Sequence, residues 1–235
     1  MGDSKYVGNE LSIFKDAVNW KKYWHKSISK FISGDILEVG AGIGVNTNLI
    51  LENDADIRSI TSIEPDEALA DQILNNLKED KSKVTVLNQF LKDLPNDKKF
   101  DTIIYIDVIE HIKNDSEELT KAKMHLKEGG RLIILVPAYN FLFSPFDDAV
   151  GHYRRYNKKL LIHAIPDELS MLKLFYLDSL GLCASLVNKF FLKQSYPTRS
   201  QILKYDKLIV PISKITDKVV LNSFGKSLIG IWINN

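Results

Sequence analysis

Residues 35–47 read Asp-Ile-Leu-Glu-Val-Gly-Ala-Gly-Ile-Gly-Val-Asn-Thr. The apolar run Ile36-Leu37-Glu38-Val39 stops abruptly at Gly40-Ala41-Gly42-Ile43-Gly44, and a helix can start from Val45. Strand, glycine turn, helix is the local plan of a nucleotide-binding loop. Glycines let the backbone approach a ligand closely, and a helix N-terminus offers unpaired N–H groups. Such a turn commits the chain to an α/β architecture with its ligand at the carboxyl edge of a sheet.

The elements that follow keep to that plan. Residues 58–63 (RSITSI) form a β-branched strand that Pro65 terminates, so Glu64 stands at its carboxyl end. A carboxylate there can accept from two ribose hydroxyls, about 20 residues beyond the glycine turn. Residues 66–78 have a helical period, residues 83–87 (KVTVL) read as a third strand, and 100–106 (FDTIIYI) are the continuous apolar run of a strand buried on both faces. A helix over 113–126, a turn at 128–130 and a strand over 131–136 continue the alternation, which dictates right-handed crossovers and a largely parallel sheet. Strands follow at 171–177 and 227–233, and a helical segment at 11–32 precedes everything.

Two ligand readings compete at the glycines. The dinucleotide fingerprint Gly-x-Gly-x-x-Gly needs a glycine where this chain has Val45, and Gly44 comes one residue early. Glu38, Gly40, Gly42 and Gly44 instead match Glu-x-Gly-x-Gly-x-Gly at every position. Asp107-Val108-Ile109-Glu110-His111-Ile112 follows in the right order. With these motifs the chain resembles the class I S-adenosylmethionine (SAM) methyltransferase superfamily, in particular ubiquinone-pathway and glycosyltransferase-associated enzymes. The resemblance implies a Rossmann-like, seven-stranded, mostly parallel sheet with an antiparallel last strand beside the fifth, helices on both faces and an N-terminal helical cap. It implies one domain: a cap over 1–33, a SAM-binding core over 34–137, a substrate loop and variable insertion over 138–222, and a final strand over 223–235, where Phe224-Gly225-Lys226-Ser227 also fits. Trp20, Tyr23 or Trp24 would contact ligand from the cap.

SAM is the implied cofactor and S-adenosylhomocysteine its product. Glu38, Gly40, Gly42, Gly44, Glu64, Pro65, Gln89, Phe90, Asp107 and Val108 are the implied cofactor residues. Glu38 would orient the loop or meet the cofactor's amino group. Gln89 and Phe90 stand where the family usually has a small or acidic residue near the adenine.

Residues 137–161 resemble a loop of one methyltransferase subset. Tyr139, Asp148, His152, Arg154, Arg155 and Tyr156 are the expected acceptor contacts, in a cluster (with Asp147) that looks too polar for a core. An oxygen nucleophile needs a base, and histidine suits neutral pH. Of five histidines, His25, His125 and His163 lie in helical patterns. His152 is the expected base or acceptor contact, with His111 beside it. In some relatives a motif like Asp107-x-x-Glu110-His111, completed by a later histidine, binds a divalent metal, so Asp107, Glu110, His111 and His152 form an alternative metal set. The expected arrangement is metal-free.

The acceptor expected is a small molecule, a sugar or a lipid-linked glycan, methylated at oxygen rather than nitrogen. Rivals are a non-catalytic partner subunit of the same fold and a metal-dependent RNA or small-molecule O-methyltransferase. A net charge of +1 argues against nucleic acid. The single cysteine, Cys183, and an N-terminus without a signal pattern lead to an expected cytoplasmic location. Residues 178–222 are apolar and basic together, a composition that suits a lid, a homodimer contact or an anionic membrane surface.

Overall fold

The computed structural model describes residues 11, 14–53, 56–78, 80–192 and 196–235. Residues 1–10 and 12–13 of the expected cap, and Lys193 of the insertion, lie outside the described residues.

The helices are α1 (Val18–Ile28), α2 (Val45–Asn53), α3 (Glu67–Asn76), α4 (Asp115–Met124), α5 (Pro145–Ala149), α6 (Lys158–Ala164), α7 (Ser179–Val187), α8 (Arg199–Lys204) and α9 (Val210–Val219). The strands are β1 (Gly34–Val39), β2 (Ile57–Ile63), β3 (Val84–Leu87), β4 (Phe100–Ile106), β5 (Leu126–Pro137), β6 (Leu169–Leu177) and β7 (Ser227–Asn234). They form one seven-stranded sheet in the order 3-2-1-4-5-7-6. β7 runs antiparallel to both β5 and β6, while the other pairings are parallel. The expected fold class is therefore observed.

Successive residues of the central strands feed opposite layers, as the pleat requires. Leu37, Ile103, Tyr105, Leu132 and Ile134 join one core with Leu119 of α4 and Leu161 of α6. Ile36, Ile104, Ile106, Ile133 and Leu135 join the other with Trp24 and Ile28 of α1 and Leu49 of α2. On β7 a Cβ at Gly230 would stand 2.1 Å from the Trp232 ring, so the glycine makes room for the largest side chain of that strand.

Three elements differ from the sequence reading. The N-terminal helical segment is interrupted before α1, where Ala17 leaves helical geometry at ψ 69° and offers no side-chain cap. Trp24 is buried in the core and Tyr23 donates its hydroxyl to Asp217, so the cap aromatics serve packing. The turn expected at 128–130 is instead an irregularity within β5, whose register to β4 shifts between Phe100 and Thr102. Residues 206–220 have a helical pattern that Pro211 is expected to interrupt, and the break appears as a π-helical turn over residues 205–209 just before it. Proline cannot donate to the i−4 carbonyl, and a wider turn absorbs the loss. No described helix is long and apolar enough to cross a membrane.

Candidate functional site

The carboxyl ends of β1, β2, β4, β5 and β6 and the start of β7 share one edge of the sheet. The sequence places Gly40, Glu64, Asp107, Ala138, Asp178 and Lys226 there. Backbone bonds stitch the edge together: Ala138 N donates to Lys226 O at 2.8 Å and Lys226 N to Asp178 O at 3.0 Å.

Gly40, Gly42 and Gly44 all have positive φ, at 68°, 57° and 79°. A Cβ on Gly40 would approach Val108 Cγ2 to 2.7 Å, so this glycine is held by Val108 as well as by its backbone angle. Glu38 does not open toward ligand. It is buried and accepts from Thr47 on α2 and from Ser62 Oγ of β2 at 3.1 Å, which locks the helix onto the strands. Burial pushes its carboxyl up to about 7, against the pull of those two hydroxyls.

Glu64 Oε2 accepts the Gly42 N–H at 2.8 Å and Oε1 accepts the Asp66 N–H at 3.0 Å. Its burial raises the carboxyl pKa against these two amides. A carboxylate has about four acceptor positions, so each oxygen keeps capacity for a ligand hydroxyl. Asn88 on the next strand's exit donates to the carbonyls of Glu64 and Pro65, at 2.9 and 3.0 Å. Beside it the Gln89 side-chain amide nitrogen is buried without a hydrogen-bond partner among the described residues, and Phe90 lies at the surface. An unpaired buried donor costs free energy unless a ligand accepts from it.

Asp107 ends β4 in the left-handed region, at φ 54°. For a non-glycine residue this geometry is uncommon and gathers at functional sites. The residue is solvent-accessible at this edge, where the recess lies. Desolvation raises its pKa, opposed by His152, Lys226, Lys21 and Arg155 around it. Lys21 reaches in from α1, bonds Phe14 O, and burial lowers its amine to about 8 against Asp206, Asp107 and Asp16. Lys226 lies over the Tyr205 ring at 5.1 Å, and burial lowers its pKa too.

The loop after β5 is a folded unit. Its ends meet in a bridge between Ala138 and Tyr156, and Tyr153 N donates to Glu110 O at 2.8 Å. At its centre Asp147 is wholly buried. It accepts from His152 Nδ1 at 2.8 Å, from Arg155 Nε at 2.7 Å and Nη2 at 2.9 Å, and from Ser144 Oγ at 2.9 Å. Burial works against its ionisation, but these partners outweigh it and hold the carboxyl well below the usual range. The other ring nitrogen of His152, Nε2, faces Glu110 Oε1 at 3.9 Å, and the His152 and His111 rings meet edge-to-face at 4.5 Å. Burial, then His152, lowers His111 to about 4. Glu110 is buried with Oε2 unpartnered among the described residues, and burial together with Asp107 raises its pKa. Ligand atoms of Glu110, His111 and His152 all lie within 4.8 Å of one another, a grouping that does not include Asp107.

Not every residue expected in the loop faces the recess. Tyr156 is inside the core with its hydroxyl donated to Asp115 at 2.8 Å, and has no exposed surface for an acceptor. Arg154 pairs with Asp115 at 2.8 Å and donates to the carbonyls of Ile112 and Lys113. Arg155 is buried on Asp147, and Asp148 points to solvent. Tyr139, at φ 64°, stacks between Phe141 and Tyr176 at 5.2 and 5.1 Å. The cluster that looks too polar for a core is thus partly core, because its charges neutralise one another. Sequence reasoning named Asp148 as an acceptor contact and gave His152 no acid partner; the structure puts Asp147 in that place. The available signal was Ser144-x-x-Asp147, a capping-box pattern that turns Asp147 inward on α5. Lys21 and Lys226 were also missed, since nothing local to them marks a long-range approach to Asp107.

A family model described as a methyltransferase domain matches residues 20–185. The chain is 33% identical over 101 residues to the ubiquinone biosynthesis O-methyltransferase of Rickettsia bellii, covering 43% of this chain and 40% of that enzyme. It is 29% identical over 125 residues to the demethylmenaquinone methyltransferase of Tropheryma whipplei, covering 53% and 50%. The chain thus spans half or less of the length of these curated relatives. Among solved structures, the geranyl diphosphate C-methyltransferase of Streptomyces coelicolor A3(2), in complex with Mg2+, geranyl diphosphate and S-adenosyl-L-homocysteine, matches with a TM-score of 0.67 at 12% identity, over 100% of this chain and 86% of that one. At that identity the likeness speaks for the fold alone.

Proposed function

This chain belongs to the methyltransferase-domain family, and from that premise we propose that it is a SAM-dependent methyltransferase acting on a hydroxyl of a small-molecule, sugar or lipid-linked glycan acceptor. The observation that carries the reading is the His152–Asp147 pair, set beside Asp107 at the sheet edge that also bears the glycine turn and Glu64.

The residues present fit the cofactor. Glu64 has acceptor capacity for ribose hydroxyls, the Gln89 amide is an orphan donor suited to an adenine nitrogen, and Asp107 offers a carboxylate to a cationic amino group. Pro65 and Val108 would form the walls. Glu38 acts from behind, by fixing α2 to β1. When bound, SAM supplies an electrophilic methyl group on a sulfonium. The protein's part is to hold an acceptor in line and remove its proton. Asp147, kept ionised, accepts a hydrogen bond from Nδ1–H of His152 and so leaves Nε2 as the nitrogen that can take the acceptor's proton. His111, neutral at ordinary pH, packs on the ring and holds its plane.

Calorimetry with SAM, S-adenosylhomocysteine and NAD tests the cofactor assignment; binding of NAD alone, or of none, would end it. Binding without turnover on any hydroxyl acceptor would favour the non-catalytic subunit.

A second reading rests on Glu110, His111 and His152. A buried carboxylate with an unpartnered oxygen and two imidazoles suits a divalent ion of borderline character. Turnover that vanishes in chelator and returns with Mg2+ or Mn2+ supports it; undiminished turnover in chelator removes it.

A further inference from the structure

The inward face of helix α9 carries Ser213 and Asp217 as well as Val210, all 0% exposed, while Ile215 is 66% and Val219 77% exposed. Leu208 and Ile212 on the same run, and Leu221 just beyond it at 83%, are also exposed. The apolar positions 208, 212, 215 and 219 recur every three or four residues, so they form one stripe on the solvent side. The polar inner face has a structural cause. Asp217 accepts the N–H groups of Asp178 and Ser179 at 2.6 and 2.8 Å and the Tyr23 hydroxyl at 2.8 Å, and Ser213 donates to Asp178 Oδ1 at 2.7 Å. Nothing in that network requires apolar residues outside. The neighbouring helix α7, packed against α9, also leaves apolar residues exposed, Ala184 and Val187, with Phe190 following them.

Charge identifies what covers this face. The acids of residues 179–221 are Asp206 and Asp217, and both are buried. Lys204, Lys207 and Lys218 are exposed. Lys204 and Lys207, with Arg199, line a groove together with Leu203 and Leu208. A second copy docked on the same face would set lysines against lysines, with no exposed acid among residues 179–221 to answer them and Asp16 already paired with Arg199. An anionic lipid surface offers acyl chains to the stripe and phosphate to the lysines.

We propose that α7–α9 form a docking face for an anionic membrane surface, with Leu208, Ile212, Ile215 and Val219 entering the acyl boundary and Lys204, Lys207 and Lys218 at the headgroups. The insertion leaves the sheet at Leu177 and returns at Ser227, both on the edge that bears the candidate site. A membrane-held acceptor would therefore be met beside the recess. The docking itself does not depend on methyl transfer.

The test is co-sedimentation of the full chain with vesicles of phosphatidylcholine alone and of phosphatidylcholine mixed equally with phosphatidylglycerol. Binding is expected to the mixed vesicles only, and to weaken with added salt. Ile212→Ser with Ile215→Ser and Val219→Ser should keep the melting temperature, because all three side chains are exposed, and lose about tenfold or more in partition. Lys207→Gln with Lys218→Gln should lose about tenfold. Equal binding to both vesicle types, or unchanged binding by the apolar variant, overturns the proposal. So does absence of vesicle binding, whether the protein stays monomeric or forms a dimer that the apolar variant disperses; the latter assigns the face to a second copy.

Discussion

The Nδ1 of His152 lies 2.8 Å from Oδ1 of Asp147, a carboxylate with no exposed surface and a second anchor in Arg155. The pair settles which nitrogen of the ring is turned away from the anchor, toward Glu110. It also ties the recess to the loop's own stability, since the acid that orients the histidine is the acid that neutralises a buried arginine.

Removing the ring and removing its anchor should therefore differ. His152→Ala is expected to lower turnover by about two to four orders of magnitude, the usual contribution of a positioned base, with SAM affinity by calorimetry nearly unchanged. Asp147→Asn should lower turnover and melting temperature together, because Arg155 is left buried beside a neutral amide, at a cost of about 3–5 kcal/mol. An unaltered turnover in His152→Ala refutes the base assignment.

Glu64 joins the glycine turn to the end of β2 through Gly42. Glu64→Ala should weaken SAM and S-adenosylhomocysteine binding by about tenfold to a hundredfold, as expected for hydrogen bonds to a charged acceptor. Glu64→Gln should lie between. Equal affinities in all three proteins would show that the carboxylate does not touch the cofactor.

Gly40 is constrained twice, by φ 68° and by Val108. Gly40→Ala should destabilise by about 1–3 kcal/mol. Adding Val108→Ala should restore only the part due to collision and leave the backbone strain. Thermal melts of the two variants separate the contributions; full recovery in the double variant would mean that the backbone angle costs nothing.

Glu38 provides a pH signature. Its folded pKa of about 7 exceeds the ordinary carboxyl value of 4.5, so between these limits the folded state holds more protons than the unfolded state. Stability from this group is then greatest at acid pH and falls as pH rises through that window, by roughly 3 kcal/mol in total. Glu38→Gln keeps an acceptor oxygen for Thr47 and Ser62 without the charge. Its stability advantage over the native chain should be absent near pH 4, grow toward pH 7 and then level off in denaturant titrations. A pH-independent difference would mean that Glu38 is not the titrating group.

Helix α1 receives its N-terminal cap from far along the chain: Asp206 accepts the N–H groups of Asn19 and Trp20 at 3.0 and 2.8 Å. Asp206→Ala should cost about 1–2 kcal/mol and speed hydrogen exchange in both α1 and the 205–209 turn. Faster exchange in one alone would argue that the two do not move as a unit.

The strands, the glycine turn and the placement of Glu64 and Asp107 at strand ends were legible in the sequence because each is local. Alternation, a β-branched run, a proline stop and a glycine where φ is positive all act within a few residues. The elements α3 and β4 fell close to their expected limits for the same reason. Only the folded chain could decide which of two adjacent acids, Asp147 or Asp148, meets His152, since the answer depends on about 100° of helix rotation and on a buried arginine eight positions away. It alone turned Tyr156 and Arg154 toward Asp115, carried Lys21 and Lys226 to Asp107, and put the polar side of α9 inward. The amphipathic period of that helix is plain in the sequence, but a period has no sign. Burial of Asp217 by distant amides, not hydrophobicity, chose which face looks out.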